Sequence, residues 1–281
     1  MLLRYVTDEL QKIAVWFRSN KMAVNTSKTK FIVFRTHGKK INANECVLSF
    51  NNNEPGHPED PALISNIDRI HNEGIEKNFK LLGVLFDEYL SFGDHISYLC
   101  AKVSKSLFCL HRIKNFVTNA ALKSLYYAMI HSHLAYCINI YGCASATALN
   151  KLIMKQKEAI RVVSLAKYRD HTIPLFKKLG ILPLNELIRY SALKFMHKFK
   201  HHRLPFSFNE IWSTNRARNP DVILRNADNF YVPAHNFATI KKHPYFYFPK
   251  IWNEDRNDKL NPSHKQYLKC VKSALLNSLV A

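Results

Sequence analysis

Glycine is scarce in this sequence, with 7 in 281 residues, and no run of it forms a phosphate-cradling loop or a Gly-x-Ser-x-Gly nucleophile elbow. A serine, a histidine and an aspartate can be picked from any chain of this length, so without geometry they signify nothing. An adjacent pair of aspartates on a hairpin is missing too. Two-metal nucleotidyl transfer needs carboxylates that hold cations about 4 Å apart, whereas Asp8, Asp87 and Asp94 are widely separated. The expectation is that this chain alone carries no catalytic residue.

Cysteine pairs at metal or redox spacing are likewise lacking. The six cysteines, Cys46, Cys100, Cys109, Cys137, Cys143 and Cys270, include no Cys-x-x-Cys and form no dense framework. That usage fits a reduced intracellular protein with ordinary thiols and leaves nucleus or cytoplasm open. Histidine is plentiful, at 14, with His57, His131-Ser-His133 and His197 with His201 and His202 as the main groupings. His197 and His201 share a helical face, but no glutamate stands between them as a His-Glu-x-x-His zinc site requires, so packing, surface or phosphate contact is expected and no metal. No apolar run approaches the roughly 18 residues of a membrane span. Asp8 and Glu9 break the opening apolar stretch before it becomes a secretory signal.

Acidic residues are the last shortage, 21 against 41 lysines and arginines, for a formal charge of +20. Such an excess repels itself unless salt or an anionic partner screens it, and nucleic acid is the first candidate. A membrane surface, or charge kept for solubility, are the rivals. What is abundant is core material: 47% hydrophobic and 12% aromatic residues, enough for one large domain or two small ones.

Apolar residues at Leu3, Val6, Leu10, Ile13, Ala14 and Phe17 predict a one-sided helix over 2–17, ended by Asn20. A polar turn at 25–30 precedes a predicted strand at Phe31–Phe34. A basic turn over His37–Lys40 leads to Cys46–Phe50 as its antiparallel partner. Pro55, Gly56, Pro58 and Pro61 mark residues 51–78 as an excursion outside the sheet. Residues 80–87 read as one more strand. Asp94 then caps a helix with Ile96, Leu99, Val103, Leu107 and Leu110 inward and Lys102 and Lys105 outward. Further helices are predicted from Thr118 with Leu122, Leu125, Tyr126 and Met129 inward, over 146–165, and over 184–199. Pro220, Pro233, Pro244 and Pro249 divide residues 205–260 into short pieces, and a closing helix runs over 262–279. The fold class is α+β: a small β-containing part followed by a mainly helical one.

Several stretches, taken in order, resemble a known family. Leu10–Trp16, Asn20–Asn25 and Lys28–Phe34 are similar to the segment after the catalytic Asp-Asp hairpin of reverse transcriptases from non-LTR retrotransposons, most of all the jockey-like group. Phe79–Asp87 and Leu90–Ile96 resemble the next palm motif and the entry to the thumb. Leu125-Tyr126, Leu134–Cys137, Tyr141-Gly142, Gln156–Arg161, Pro174–Phe176, Leu179–Leu184 and Phe248–Asn253 follow in the same order. Tyr141 stands where the family usually has tryptophan, and residues 51–78 are longer than its usual connection.

The resemblance implies a C-terminal palm remnant over 1–93, a helical thumb-like region over 94–204, and an extension with a closing helix over 205–281. It implies phosphate or primer contact for Lys28, Thr29, Leu82, Gly83 and Val84. Lys102, Lys105, Arg112 and Lys114, then Lys155, Lys157 and Arg161, would track a nucleic-acid backbone, while Trp252 packs the domain. The family's fingers, palm carboxylates and endonuclease precede the first helix, so none of its metal-binding aspartates transfers to this chain. The expected function is that of a truncated RNA-directed DNA polymerase fragment that binds RNA or an RNA/DNA hybrid weakly. It would need no cofactor alone, and Mg2+ only if a missing palm and fingers were supplied. Two alternatives stand beside it: part of an active polymerase with a misplaced start, and a non-enzymatic structural or protein-interaction protein.

Overall fold

The computed structural model describes residues 2–22, 24–39, 41, 47–51, 64–71, 74, 76–222, 225–234, 243–255 and 263–279. Met1, Lys40, Cys46, Pro55, Gly56, His57, Pro58, Pro61 and Pro262 lie outside them. The fold is mixed, a small β-containing region followed by a predominantly helical one, and the chain divides into two compact units, residues 1–94 and 95–281.

In the first unit, helix α1 (Leu2–Ser19) places Ala14 in a core with Leu48, Phe50 and Ile67, and Val6 and Leu10 pack against that cluster. Burying side chains of this size stabilises by about 1.5–3 kcal/mol each. Lys21 takes a left-handed φ of 54° and terminates the helix. Its N–H donates to Arg18 O at 2.8 Å, and that of Met22 donates to Phe17 O at 2.9 Å, which together satisfy the last carbonyls. Ile13, expected inward, is 46% exposed, because the apolar stripe bends around Ala14 and leaves it on the far shoulder.

The sheet departs most from expectation. Strand β1 (Lys30–Ile32) does not pair with β2 (Leu48–Asn51); both flank β3 (Ile64–Ile70), which lies within the predicted excursion. β1 runs parallel to β3 with Phe31 opposite Arg69, and β2 runs antiparallel with Leu48 opposite Ile67. As the central strand, β3 is hydrogen-bonded at both edges. Ile67 points into the core under α1, while on the opposite face Ile64, Asn66 and Asp68 are exposed and Ile70 is buried.

Residues 80–87 form a tight hairpin rather than one strand, with β4 (Phe79–Leu81) antiparallel to β5 (Val84–Phe86). Leu82 and Gly83 connect them with φ of 47° and 86°, the pair of positive values that a two-residue hairpin loop of matching twist requires. Asp87 closes the hairpin. Its carboxylate is buried and accepts from the N–H groups of Tyr89, Ser91 and Phe92 and from Ser91 Oγ.

The second unit is helical. Along α2 (Gly93–Ile113), Ile96, Leu99, Val103, Leu107 and Leu110 are all buried, as their spacing dictates. Asp94 stands inside the first turn rather than ahead of it and accepts from Asn78 Nδ2 at 2.7 Å. Thr118 caps α3 (Asn119–Tyr126), its side chain accepting from Ala121 N. That helix passes through a π-turn (Tyr127–His131) into α4 (Ser132–Ala135). The wider turn rotates the inner face, so Ile130 is fully buried and Met129, expected inward, is only half-buried.

In α5 (Ile138–Tyr141), Tyr141 is fully buried and its hydroxyl donates to Leu134 O. Gly142 follows, where a Cβ would stand 2.5 Å from Ile138 O and 3.2 Å from Ile188.

Helices α6 (Ala146–Val163), α7 (Thr172–Leu179) and α8 (Leu184–Lys200) pack with α10 (Pro244–Glu254) and α11 (His264–Asn277). A single turn, α9 (Asn215–Arg218), precedes α10. Pro244 and Pro249, read as dividers, lie within α10. Pro244 occupies the first turn, where no N–H is needed. Pro249 frees the carbonyl of Tyr245, four residues back, and the buried Trp212 indole donates to that oxygen at 2.8 Å. Asn253 completes the motif, its side-chain amide bonding both Phe230 N and Phe230 O.

Candidate nucleic-acid interface

A spacing of seven puts the exposed Lys105 and Arg112 on one outward stripe of α2, and the half-buried Lys102 stands on its edge, on the flank of the buried face. The Lys102 ammonium lies 4.7 Å from the Tyr98 ring centroid, and the Arg112 guanidinium 5.4 Å from that of Phe108. Phe108 is 62% exposed. Among the described residues none of the three cations pairs with a carboxylate; Asp94 is in the first turn of the helix, and Glu158 stands against His111 at 3.7 Å. A ridge of uncompensated cations interleaved with aromatic rings can follow a phosphate backbone while offering apolar faces to sugar or base. Tyr98 and Phe108 escaped the sequence reading, although their i+4 spacing to Lys102 and Arg112 carries the signal.

Lys114 lies past the end of α2 and off this stripe. The second predicted cluster is split. Lys155 sits 3.6 Å from Glu158, while Lys157 and Arg161 occupy a different flank of α6, with Arg161 Nε donating to Asp170 O at 3.0 Å. Arg161 thereby holds the segment after α6.

In the first unit Lys28 is exposed, and Thr29 Oγ1 donates to Asn25 O within a turn organised by Asn25, which also receives Lys28 N. At the hairpin, Leu82 is 81% exposed and Gly83 sits beside it at the tip, whereas Val84 is turned into the core. Only the first two of that trio present themselves to a ligand.

The histidines do structural work. His197 is fully buried; its Nδ1 lies 2.9 Å from that of His264, and its ring stacks on Tyr267 at 4.4 Å. Among the described residues no group of three or more His, Cys, Asp or Glu is arranged to hold a metal ion. Burial holds His95, His131, His133, His243 and His264 below the ordinary value of 6.5, with nearby lysines acting in the same direction on all but His243. The folded state therefore binds fewer protons than the unfolded one. Stability from these groups is complete above about pH 6.5 and is lost as pH falls through their lowered values. Burial raises the Glu186 carboxyl and works in the opposite sense, in the acid range. Urea unfolding from pH 7.5 to 5.5 is expected to show a falling midpoint, and a constant midpoint would contradict the placement of these rings.

Known proteins bear on this geometry. No family model matches the chain, and no solved structure matches it. The RNA-directed DNA polymerase from mobile element jockey of Drosophila melanogaster is 24% identical over 167 residues, covering 58% of this chain and 18% of the relative. This chain is a distant homologue of jockey reverse transcriptase. The corresponding polymerase of Drosophila funebris is 26% identical over 170 residues, with the same coverage of 58% and 18%. The chain thus spans less than a fifth of the length of the curated relatives it matches.

Two-metal nucleotidyl transfer needs carboxylates free to hold cations, and the buried acids Asp87 and Glu88 do not fit that task. Asp87 is enclosed by backbone amides, and Glu88 is occupied by Arg35 at 2.8 Å. No helix of the described residues is long and apolar enough to cross a membrane.

Proposed function

We propose that this chain holds nucleic acid for an RNA-directed DNA polymerase, gripping RNA or an RNA/DNA hybrid through its backbone and contributing no catalytic carboxylate. The observation that carries the reading is the cationic side of α2, where exposed Lys105 and Arg112, flanked by half-buried Lys102, have no carboxylate partner among the described residues. The distant kinship to jockey reverse transcriptase supplies the class of polyanion. Residues 1–93 are assigned to the end of a palm, 94–204 to a thumb and 205–281 to its extension. The hairpin tip at Leu82 and Gly83 is where a primer strand would rest. The partner of the first unit is a palm with fingers, packing on the exposed Tyr5 and Trp16 of α1; the Mg2+ of the reaction would be held there.

Binding of this kind is nonspecific and weak, with Kd about 10⁻⁴–10⁻⁶ M at physiological salt. Fluorescence anisotropy with a labelled RNA/DNA hybrid across salt concentrations tests it. Each lost phosphate contact removes about 0.9 from the slope of log K against log salt, so K102Q/K105Q/R112Q is expected to lower its magnitude by roughly 2.7. The double variant K177Q/K178Q, on exposed positions of α7, should leave the slope nearly unchanged. Equal effects of the two variants, or none from the first, would overturn the assignment.

A further inference from the structure

The second unit holds a cavity of about 170 Å³ to which α2 contributes no residue. Ile138 of α5, Leu149 of α6, Ile188 of α8 and Phe248 of α10 form its apolar walls, and all four are buried. Four helices therefore converge on it. The bare backbone of Gly142 lets Ile188 close on α5, since a Cβ there would stand 3.2 Å from that isoleucine and 2.5 Å from Ile138 O. The Phe248 ring meets those of Phe195 and Trp212 with centroids 5.6 and 6.2 Å apart, which fixes the aromatic wall. The cavity is preformed, as binding pockets usually are.

Its polar groups are few and neutral. Asn139 and Asn185 bring amides, Tyr247 a phenol, and Cys143 a thiol already donating to Ile140 O at 2.9 Å. Among the described residues no lysine, arginine, histidine or carboxylate lines the space, which does not suit a phosphate. Asn185 is exposed and stands at the mouth. Asn139 Oδ1, by contrast, is buried and accepts no hydrogen bond. An acceptor left in that condition costs about 1–3 kcal/mol, which a donor on a bound molecule offsets. Size narrows the choice further: an apolar cavity of about 150 Å³ is enough for benzene, while drug-sized ligands need about 300 Å³ or more. The occupant that fits is one flat ring with an N–H at its edge.

We propose that this cavity receives a single unpaired pyrimidine base. The ring lies among Phe248 and the aliphatic walls, and its N–H donates to Asn139 Oδ1, the combination of apolar enclosure and edge hydrogen bonding by which proteins hold an extruded base. The base could belong to a strand or to a free nucleoside, and those two sources give different results. The strand source rests on the nucleic-acid grip proposed above; the fit of the ring to the cavity does not.

The test uses the full chain. Uridine is titrated while the side-chain amide resonances of Asn139 and Asn185 are followed by NMR, and both are expected to shift saturably. Anisotropy is then measured with the labelled RNA/DNA hybrid carrying either a short uridine overhang or an abasic overhang of equal length, so that the phosphates match and only the bases differ. The uridine overhang is expected to bind roughly tenfold tighter, near the low end of what stacking one base contributes. N139L should abolish that difference and yet melt at a higher temperature than the native chain, because it removes a buried unpaired acceptor. C143M, which crowds the cavity wall with a flexible side chain, should abolish it too. A lower melting temperature in N139L would make Asn139 a structural residue and overturn its assigned role. Uridine shifts with no difference between the overhangs assign the site to a free nucleoside. If uridine moves neither amide and the overhangs bind alike, there is no such site. Failure of the α2 grip would show elsewhere, in the salt slope of the blunt hybrid, which N139L leaves unchanged.

Discussion

Replacing Gln156 by leucine is expected to lower the stability of the helical unit by about 4 kcal/mol, the sum of several unpaired buried groups. Gln156 is fully buried in the middle of α6. Its Nε2 donates to Tyr126 Oη and Leu182 O, each at 3.0 Å, and its Oε1 accepts from Leu184 N at 2.7 Å. One amide thus joins α3, α6 and the start of α8. Leucine fills nearly the same volume but leaves a phenol, a carbonyl and an N–H with no water to replace the lost partner. Each such group costs about 1–3 kcal/mol, less what the added apolar burial returns. For a unit of this size the melting temperature should fall by roughly 10 °C. Tyr126→Phe removes one partner and should cost about 1 kcal/mol. Urea denaturation measures both, and a loss below about 1 kcal/mol in Q156L would show that the amide does not organise this core.

Gln156 also marks what could be read from the sequence. Its place on the inner face of a helix was legible from the spacing of Leu149, Leu152, Ile160 and Val163, all of which are buried. Its bonds were not, since Leu182 and Leu184 are remote in sequence. The same division runs through the fold. Helices announce themselves locally through one-sided spacing, and α2, α6 and α8 follow that rule. Strand β3 does not, because Ile64, Ile67 and Ile70 recur at three, a spacing that hides the period of two of a strand with one exposed face. Nothing local reveals that β1 lies parallel to it. Pro249 misled for a related reason: its helix survives because Trp212, 37 positions earlier, takes the carbonyl that the proline orphans.

The stripe on α2 was legible because charge and apolar residues alternate with helical period on a single element. Lys155, Lys157 and Arg161 looked equivalent as a string, yet intervals of two and four distribute them over different flanks. Lys155 meets the Glu158 carboxylate and Arg161 donates to the Asp170 carbonyl, partners set by the folded geometry rather than by composition.

The first unit depends on a buried charge, and Glu88→Leu is expected to destabilise it by about 3–5 kcal/mol, the usual cost of stranding one side of a buried pair. Glu88 is fully buried. Arg35 approaches it in two parallel bonds, Nε to Oε2 at 2.8 Å and Nη2 to Oε1 at 2.9 Å, and Arg69 Nη2 lies 3.6 Å from Oε2. Arg35 follows β1, Arg69 belongs to the central β3, and Glu88 follows the β4–β5 hairpin, so one carboxylate ties the sheet to the hairpin. Leucine would leave two guanidiniums in a site that only water or an anion can repair. A unit of this size has about 5–15 kcal/mol in total, so a large share of its stability is at stake. E88Q keeps the shape and an acceptor oxygen and should lose less. R35M/E88L removes both ends of the main pair and should recover part of the loss, because isosteric apolar replacement of a buried ion pair is often close to neutral. Hydrogen exchange of the β1 and β3 amides reads the unit directly. Protection lost in E88L and partly regained in the double variant is the expected pattern, and unchanged protection in E88L would show that the sheet stands without this charge.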